Sequence, residues 1–253
     1  MTASRRSAER PRLATLEAMG PTPLRPPAIS DAGAGGPSSA EGRAWPGAFD
    51  AAATVERVWI DFVAALPDPA HRMALRQALA FARARHDGQT RRGSETPYWV
   101  HLVRVAMELA RWGEASPILL QSALLHDTVE DTRTTIEEIR VGFGGEVADL
   151  VDWLTAPADQ EELPAYYERL QASAPFAAQI LKLADRVDNL RSIQALVMRT
   201  GERYKHWAGT YLRRTVWQVL PLAAGAPSVA RVALVTAMAD LAPLVDDNGF
   251  TDP

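Results

Sequence analysis

Residues 126–132 read HDTVEDT, a histidine and three carboxylates at the end of the apolar stretch SALL (residues 122–125). Histidine beside aspartate offers an imidazole nitrogen and carboxylate oxygens together, a donor set suited to a borderline divalent ion. Without an ion the placement is unfavourable. Acids in the last turn of a helix face the negative end of its dipole, where cations are preferred. Asp127, Glu130 and Asp131 also repel one another. A divalent metal on His126 and Asp127 relieves both problems; an exposed helix end with ordinary solvated acids is the alternative. On a helical wheel His126 and Glu130 share one side, and Asp127 and Asp131 the adjacent side. Leu119, Leu120, Leu124 and Leu125 spread around that wheel, as in a central buried helix whose polar groups gather at one end.

Such an ion needs further ligands. Of the five histidines, His71 and His86 flank a helical pattern at residues 72–86 and His206 lies in a charged stretch. His101 follows TPYWV and opens another helix, which holds its side chain in a fixed place. In LKLADRVDNLRS (residues 181–192), Asp185, Asn189 and Ser192 fall in a narrow arc. Ile180, Leu183, Val187 and Leu190 occupy the opposite face. A site-facing acid and a solvated charge fit that pattern equally.

The elements that must position these residues read as helices. From about Phe49 onward the apolar spacing is helical almost throughout. Residues 72–86 carry Met73, Leu75, Leu79 and Phe81, and residues 101–113 repeat the pattern and stop at a glycine, a favoured C-terminal cap. TIEE at residues 135–138 is a capping-box start for a helix ending near residues 142–145. Further helices are expected at residues 146–154, 164–173, 175–197, 204–220 and 228–244. No run alternates with period two over several strands, so the domain, residues 49–253, is expected to be all-α. Residues 1–48 combine Pro, Gly, Ala and Ser without a period and are expected to be disordered, since they cannot bury enough apolar surface to offset ordering.

Bulk properties exclude several classes. The formal net charge of -4 leaves no basic footprint for bulk nucleic-acid binding. With no cysteine, disulfides and thiolate zinc sites are impossible. No apolar stretch approaches a membrane span and no signal peptide opens the chain, so a cytoplasmic protein is expected. Oligomeric state is not legible.

Taken in order, ARHDGQ, TPYxxH, ALLHDxxEDT, FGxxVAxLV, KLADRxxN and a final PLA resemble the hydrolase domain of the RelA/SpoT family, within the wider HD superfamily. The agreement runs from about Ala80 to Pro221, and with the chain ending at Pro253 the nearest description is a stand-alone small alarmone hydrolase. The resemblance implies an HD-type helical bundle with its metal site at the end of a central helix. It implies that His101, His126, Asp127 and Asp185 hold one divalent metal, usually Mn2+, and that Glu130 and Asp131 orient and deprotonate a water. It implies substrate contacts from Arg91, Arg92, Asn189 and Ser192, with Lys182 and Arg186 steadying phosphates. The substrate would be a purine nucleotide alarmone, (p)ppGpp or (p)ppApp, losing its 3′-pyrophosphate. A phosphatase acting on NADPH or another nucleotide, and a nucleotide sensor without catalysis, are the alternatives. Departures are a loop, RRGSETPY, one residue longer than RKSGEPY, Leu102 in place of proline, and Asp188 in place of the histidine of LADRLHN. Neither Leu102 nor Asp188 is expected to touch a ligand.

Overall fold

The structure, a computed structural model, describes residues 52–245. The expected tail at residues 1–48 lies outside them. The described residues fold as helices: α1 (Ala52–Ala65), α2 (Pro69–Arg85), α3 (Trp99–Arg111), α4 (Pro117–Leu125), α5 (Thr128–Asp131), α6 (Ile136–Phe143), α7 (Gly145–Leu154) and α8 (Leu163–Ser173). There follow α9 (Phe176–Thr200), α10 (Lys205–Arg214) and α11 (Ser228–Leu241). Among the described residues there is no strand; one isolated bridge joins Thr90 and Pro97 at the neck of the loop between α2 and α3. The all-α expectation holds.

Local chemistry starts several of these helices. Asp68 accepts from Ala70 N at 2.9 Å with Pro69 at the first helical position of α2, and Ser116 does the same for α4 through Leu119 N at 3.3 Å. The expected capping box opens α6: Glu138 N donates to Thr135 Oγ1 at 3.2 Å and Thr135 N to Glu138 Oε2 at 2.8 Å. Gly113, at φ 88°, ends α3 in the left-handed region, as its position suggested.

Helix α9 is the spine. Ala178, Ile180, Leu181, Leu183, Ala184, Val187, Leu190 and Ile193 are buried along it, and it packs on α3, α7, α10 and α11. Helix α4, fully buried over residues 119–125, is wedged among α2, α3 and α7. The site therefore rests on the three most buried helices, α3, α4 and α9.

Three expectations need correction. The helix carrying SALL does not run through HDTVEDT; it ends at Leu125 and a short helix restarts at Thr128. Side chains take over its last carbonyls: His126 Nδ1 meets Ala123 O at 2.8 Å, and Thr128 Oγ1 donates to Leu125 O at 2.6 Å. A single wheel across His126 and Glu130 thus has no basis. Met73, counted with the α2 apolar face, is 54% exposed, because the buried stripe is Leu75, Ala78, Leu79 and Ala82 and Met73 sits about 200° from Leu75. The helix expected at residues 204–220 is broken into a 3₁₀ turn Gly201–Tyr204, α10, a π-helical turn Thr215–Val219 and a 3₁₀ segment Leu220–Gly225. Thr215 Oγ1 bonds back to Tyr211 O at 2.9 Å, and Pro221 cannot donate to continue the ladder.

Candidate metal centre

His101 projects from the first turn of α3, His126 and Asp127 from the corner after α4, and Asp185 from the middle of α9. Both histidines and Asp185 are buried. His101, His126 and Asp185 each offer one ligand atom, and these lie within 4.8 Å of one another. Asp127 closes the cluster. Its carboxylate stands 3.4 Å from His101 Nε2 and 3.2 Å from His126 Nε2, while Asp185 Oδ1 is 3.4 Å and 3.7 Å from the same nitrogens. Adjacent ligands of an ion bound at about 2.1 Å are separated by roughly 3.0–3.4 Å, so the spacing suits one small divalent cation.

The hydrogen bonding agrees. His126 Nδ1–H donates to Ala123 O, which leaves the Nε2 lone pair facing the carboxylates, and neither His101 Nε2 nor His126 Nε2 has a hydrogen-bond partner. Two buried, unpartnered acceptor nitrogens beside two carboxylates fit a metal ion. Burial opposes charge on His126, yet the adjacent Asp127 and Asp185 outweigh it and raise its proton affinity well above the ordinary value. Burial likewise works against the Asp185 carboxylate, but Lys182 and the two histidines hold it well below the usual range. The pocket thus gathers a cation of one kind or another.

Further contacts surround the cluster. The Tyr98 hydroxyl is 2.8 Å from Asp127 Oδ2 and 2.6 Å from Asp131 Oδ2, so one proton bridges the two carboxylates. Tyr98 is also stacked on His86, with ring centroids 4.6 Å apart. Glu130, solvent-accessible on the other flank, accepts from Ala156 N at 2.9 Å. Partial desolvation, abetted by Asp127 and Asp131, raises Glu130 above its ordinary value against the opposing pull of Lys182 and Ala156 N–H. Asn189 Nδ2 donates to Asp185 Oδ1 at 2.5 Å, and its own oxygen accepts from the Arg91 guanidinium. Lys182 Nζ is 3.2 Å from Asp185 Oδ2.

A cavity of about 520 Å³ opens beside the cluster. Arg91, Arg92, Asn189 and Ser192, named from sequence, line it together with Tyr98, Arg104, Arg199, Trp207 and Tyr211. No carboxylate lines it. Arg92 lies over Trp207 at 4.8 Å. Lys182 and Arg186 are not among its lining residues. Arg186 is instead buried, bonded to Tyr167 OH at 2.9 Å and Thr215 Oγ1 at 3.2 Å and packed on the Tyr211 ring. Sequence reading missed Tyr98, Arg104, Arg199, Trp207 and Tyr211. Tyr98 stood inside TPYxxH; the other four carried no local signal, because only the approach of α3, α9 and α10 makes them neighbours.

One expectation about a departure is overturned. Asp188 does touch a proposed ligand: its Oδ2 is 2.7 Å from His101 Nδ1. Asp188 falls about 40° outside the arc of Asp185, Asn189 and Ser192 on the helical wheel, but α3 packs on α9 and brings His101 against that side of the helix.

A family model described as HD domain matches residues 78–209. A Xenopus tropicalis protein named guanosine-3′,5′-bis(diphosphate) 3′-pyrophosphohydrolase MESH1 is 42% identical over 125 residues, 47% of this chain and 68% of its own length. The Homo sapiens protein of that name is 42% identical over 126 residues, covering 47% and 69%. A guanosine-3′,5′-bis(diphosphate) 3′-pyrophosphohydrolase of Aquifex aeolicus is 38% identical over 130 residues, 49% of this chain but only 18% of the relative. Among solved structures, a metazoan orthologue of SpoT that hydrolyses ppGpp superposes with a TM-score of 0.57 at 27% identity, covering 69% of this chain and 96% of that one.

Proposed function

The chain belongs to the HD domain family, and we propose that within it this protein is a divalent-metal-dependent pyrophosphohydrolase that removes the 3′-pyrophosphate of (p)ppGpp. The observation that carries the reading is the pairing of a His/Asp cluster with a cavity lined by four arginines and no acid. Guanidinium forks match phosphate oxygens, and a carboxylate-free wall suits a ligand with several phosphates. The names of the relatives supply the same substrate class.

His101, His126, Asp127 and Asp185 would hold the ion, for which we propose manganese. When bound, it supplies positive charge to phosphoryl oxygens and acidifies water at the site. Arg91, Arg92, Arg104 and Arg199 hold the diphosphates, and the flat faces of Trp207 and Tyr211 receive the purine. Asn189 links nucleotide to ligand, since it meets Asp185 on one side and Arg91 on the other. Glu130 and Asp131 take the proton of the attacking water, whose oxygen joins the phosphorus next to the ribose. The bond from that phosphorus to the 3′ oxygen breaks, the 3′ oxygen is protonated, and pyrophosphate leaves with GDP or GTP. Glu130, whose proton affinity burial raises, is a stronger base than a free glutamate.

The test is product analysis of manganese-loaded protein offered ppGpp, ppApp, NADPH and GTP side by side. Pyrophosphate from ppGpp is the expected result, and release from ppApp alone would change the base but keep the chemistry. Phosphate from NADPH alone would make the protein a nucleotide phosphatase. Metal and nucleotide bound without turnover would make it a sensor.

A further inference from the structure

We propose that Asp188 is a positioning residue for the metal ligand His101, and that Arg104 ties this pair to the nucleotide cavity. The inference rests on the metal reading above. His101 is fully buried, and its Nδ1 lies 2.7 Å from Asp188 Oδ2. An ionised carboxylate only accepts, so Nδ1 carries the hydrogen and the Nε2 lone pair is left to face Asp127 and Asp185. Asp188 therefore fixes both the tautomer and the plane of the ring.

The two histidines are oriented by different means. His126 is held by a neutral acceptor, the Ala123 carbonyl, within its own helical turn. His101 is held by a charged acceptor from another helix, which makes its ring the more electron-rich donor of the two. A buried carboxylate needs compensation, and Arg104 provides it. Its Nε lies 2.7 Å from Asp188 Oδ1, and a terminal nitrogen donates to Asp188 Oδ2 at 3.0 Å and to Ser192 Oγ at 2.8 Å. Arg104 and Ser192 both line the cavity. A chain of contacts thus runs from the cavity wall through Arg104 and Asp188 to a ligand, without Asp188 itself reaching metal or nucleotide.

The experiment compares manganese affinity of the full chain, by competition with a chromophoric chelator, in wild type, Asp188→Asn and Arg104→Gln. Asp188→Asn keeps the size and an acceptor oxygen but removes the charge. Its manganese Kd should weaken by about 10- to 100-fold. Arg104→Gln leaves the Asp188 carboxylate on His101 but removes its compensating charge, so manganese binding should change less than in Asp188→Asn while ppGpp binding weakens. A residue that merely supports the fold would lower the melting temperature of metal-free Asp188→Asn and leave its manganese Kd unmoved; that result overturns the proposal. Asp188→Ser offers the same comparison should the Asn variant not fold. If wild type itself binds no manganese, the metal reading falls and this inference with it. Wild-type binding with unchanged variants removes the inference alone.

Discussion

At the scale of the residue, the site is defined by where single protons and lone pairs stand. The Tyr98 hydroxyl has one hydrogen and two carboxylate neighbours, Asp127 and Asp131. Tyr98→Phe removes the bridge and leaves the carboxylates facing each other unscreened. A hydrogen bond to a charged group contributes about 1.5–3 kcal/mol, so kcat should fall by roughly 10- to 100-fold while the circular dichroism spectrum is retained. Glu130 makes a different prediction. As a base it must be ionised, and its proton affinity is raised above 4.5. The rate of the wild type should therefore fall on the acid side as pH drops through that raised value. Glu130→Gln should lose about 10²- to 10⁴-fold in kcat and flatten that acid limb, with ppGpp affinity little changed. A pH–rate profile of both proteins checks it; an unaltered acid limb in the variant would assign the base elsewhere.

At the scale of the element, α9 carries two duties on opposite faces. Ile180, Leu183, Val187 and Leu190 anchor it in the core, while Asp185 and Asp188 face the His/Asp cluster and Asn189 and Ser192 line the cavity. Leu183 is fully buried. Leu183→Ala should cost about 2–5 kcal/mol in chemical denaturation, the range for a buried leucine whose neighbours cannot close the gap. The wheel of α9 was readable in the sequence, because a helix of 25 residues accumulates phase without interruption. The corner at His126 and Asp127 was not. There the helix stops because His126 and Thr128 side chains capture its terminal carbonyls, a competition that apolar periodicity does not register.

At the scale of the whole molecule, metal-free and manganese-loaded protein should respond to pH in opposite ways. His101 and His126 have proton affinities raised above 6.5: burial lowers them, but the adjacent carboxylates of Asp127 and Asp185, with Asp188 on His101, outweigh it. In metal-free protein this stabilises the fold fully below pH 6.5, and the contribution is lost as pH rises through the raised values. A metal needs both rings neutral, so its stabilisation grows over that same rise. At saturating manganese, about 100 times the Kd, the gain should reach about 2.7 kcal/mol. Melting curves with manganese and with a chelator should therefore diverge as pH increases above 6.5. Parallel curves would show that no ion competes with protons at these histidines.

The sequence by itself determined the all-α class and most helix boundaries, and it singled out the His and Asp residues that the fold gathers into one cluster, because those depend on short-range spacing, capping chemistry and ordered motifs. It also placed Arg91, Arg92, Asn189 and Ser192 in motifs that the fold brings to one cavity. Only the tertiary structure decided that Asp188 meets His101, that Arg186 is buried against Tyr167 and Tyr211, and that Arg104, Arg199 and Trp207 complete the wall. Those facts depend on where α3 and α10 cross α9. Crossing positions follow from the packing of whole helix faces, and no local stretch of residues records them.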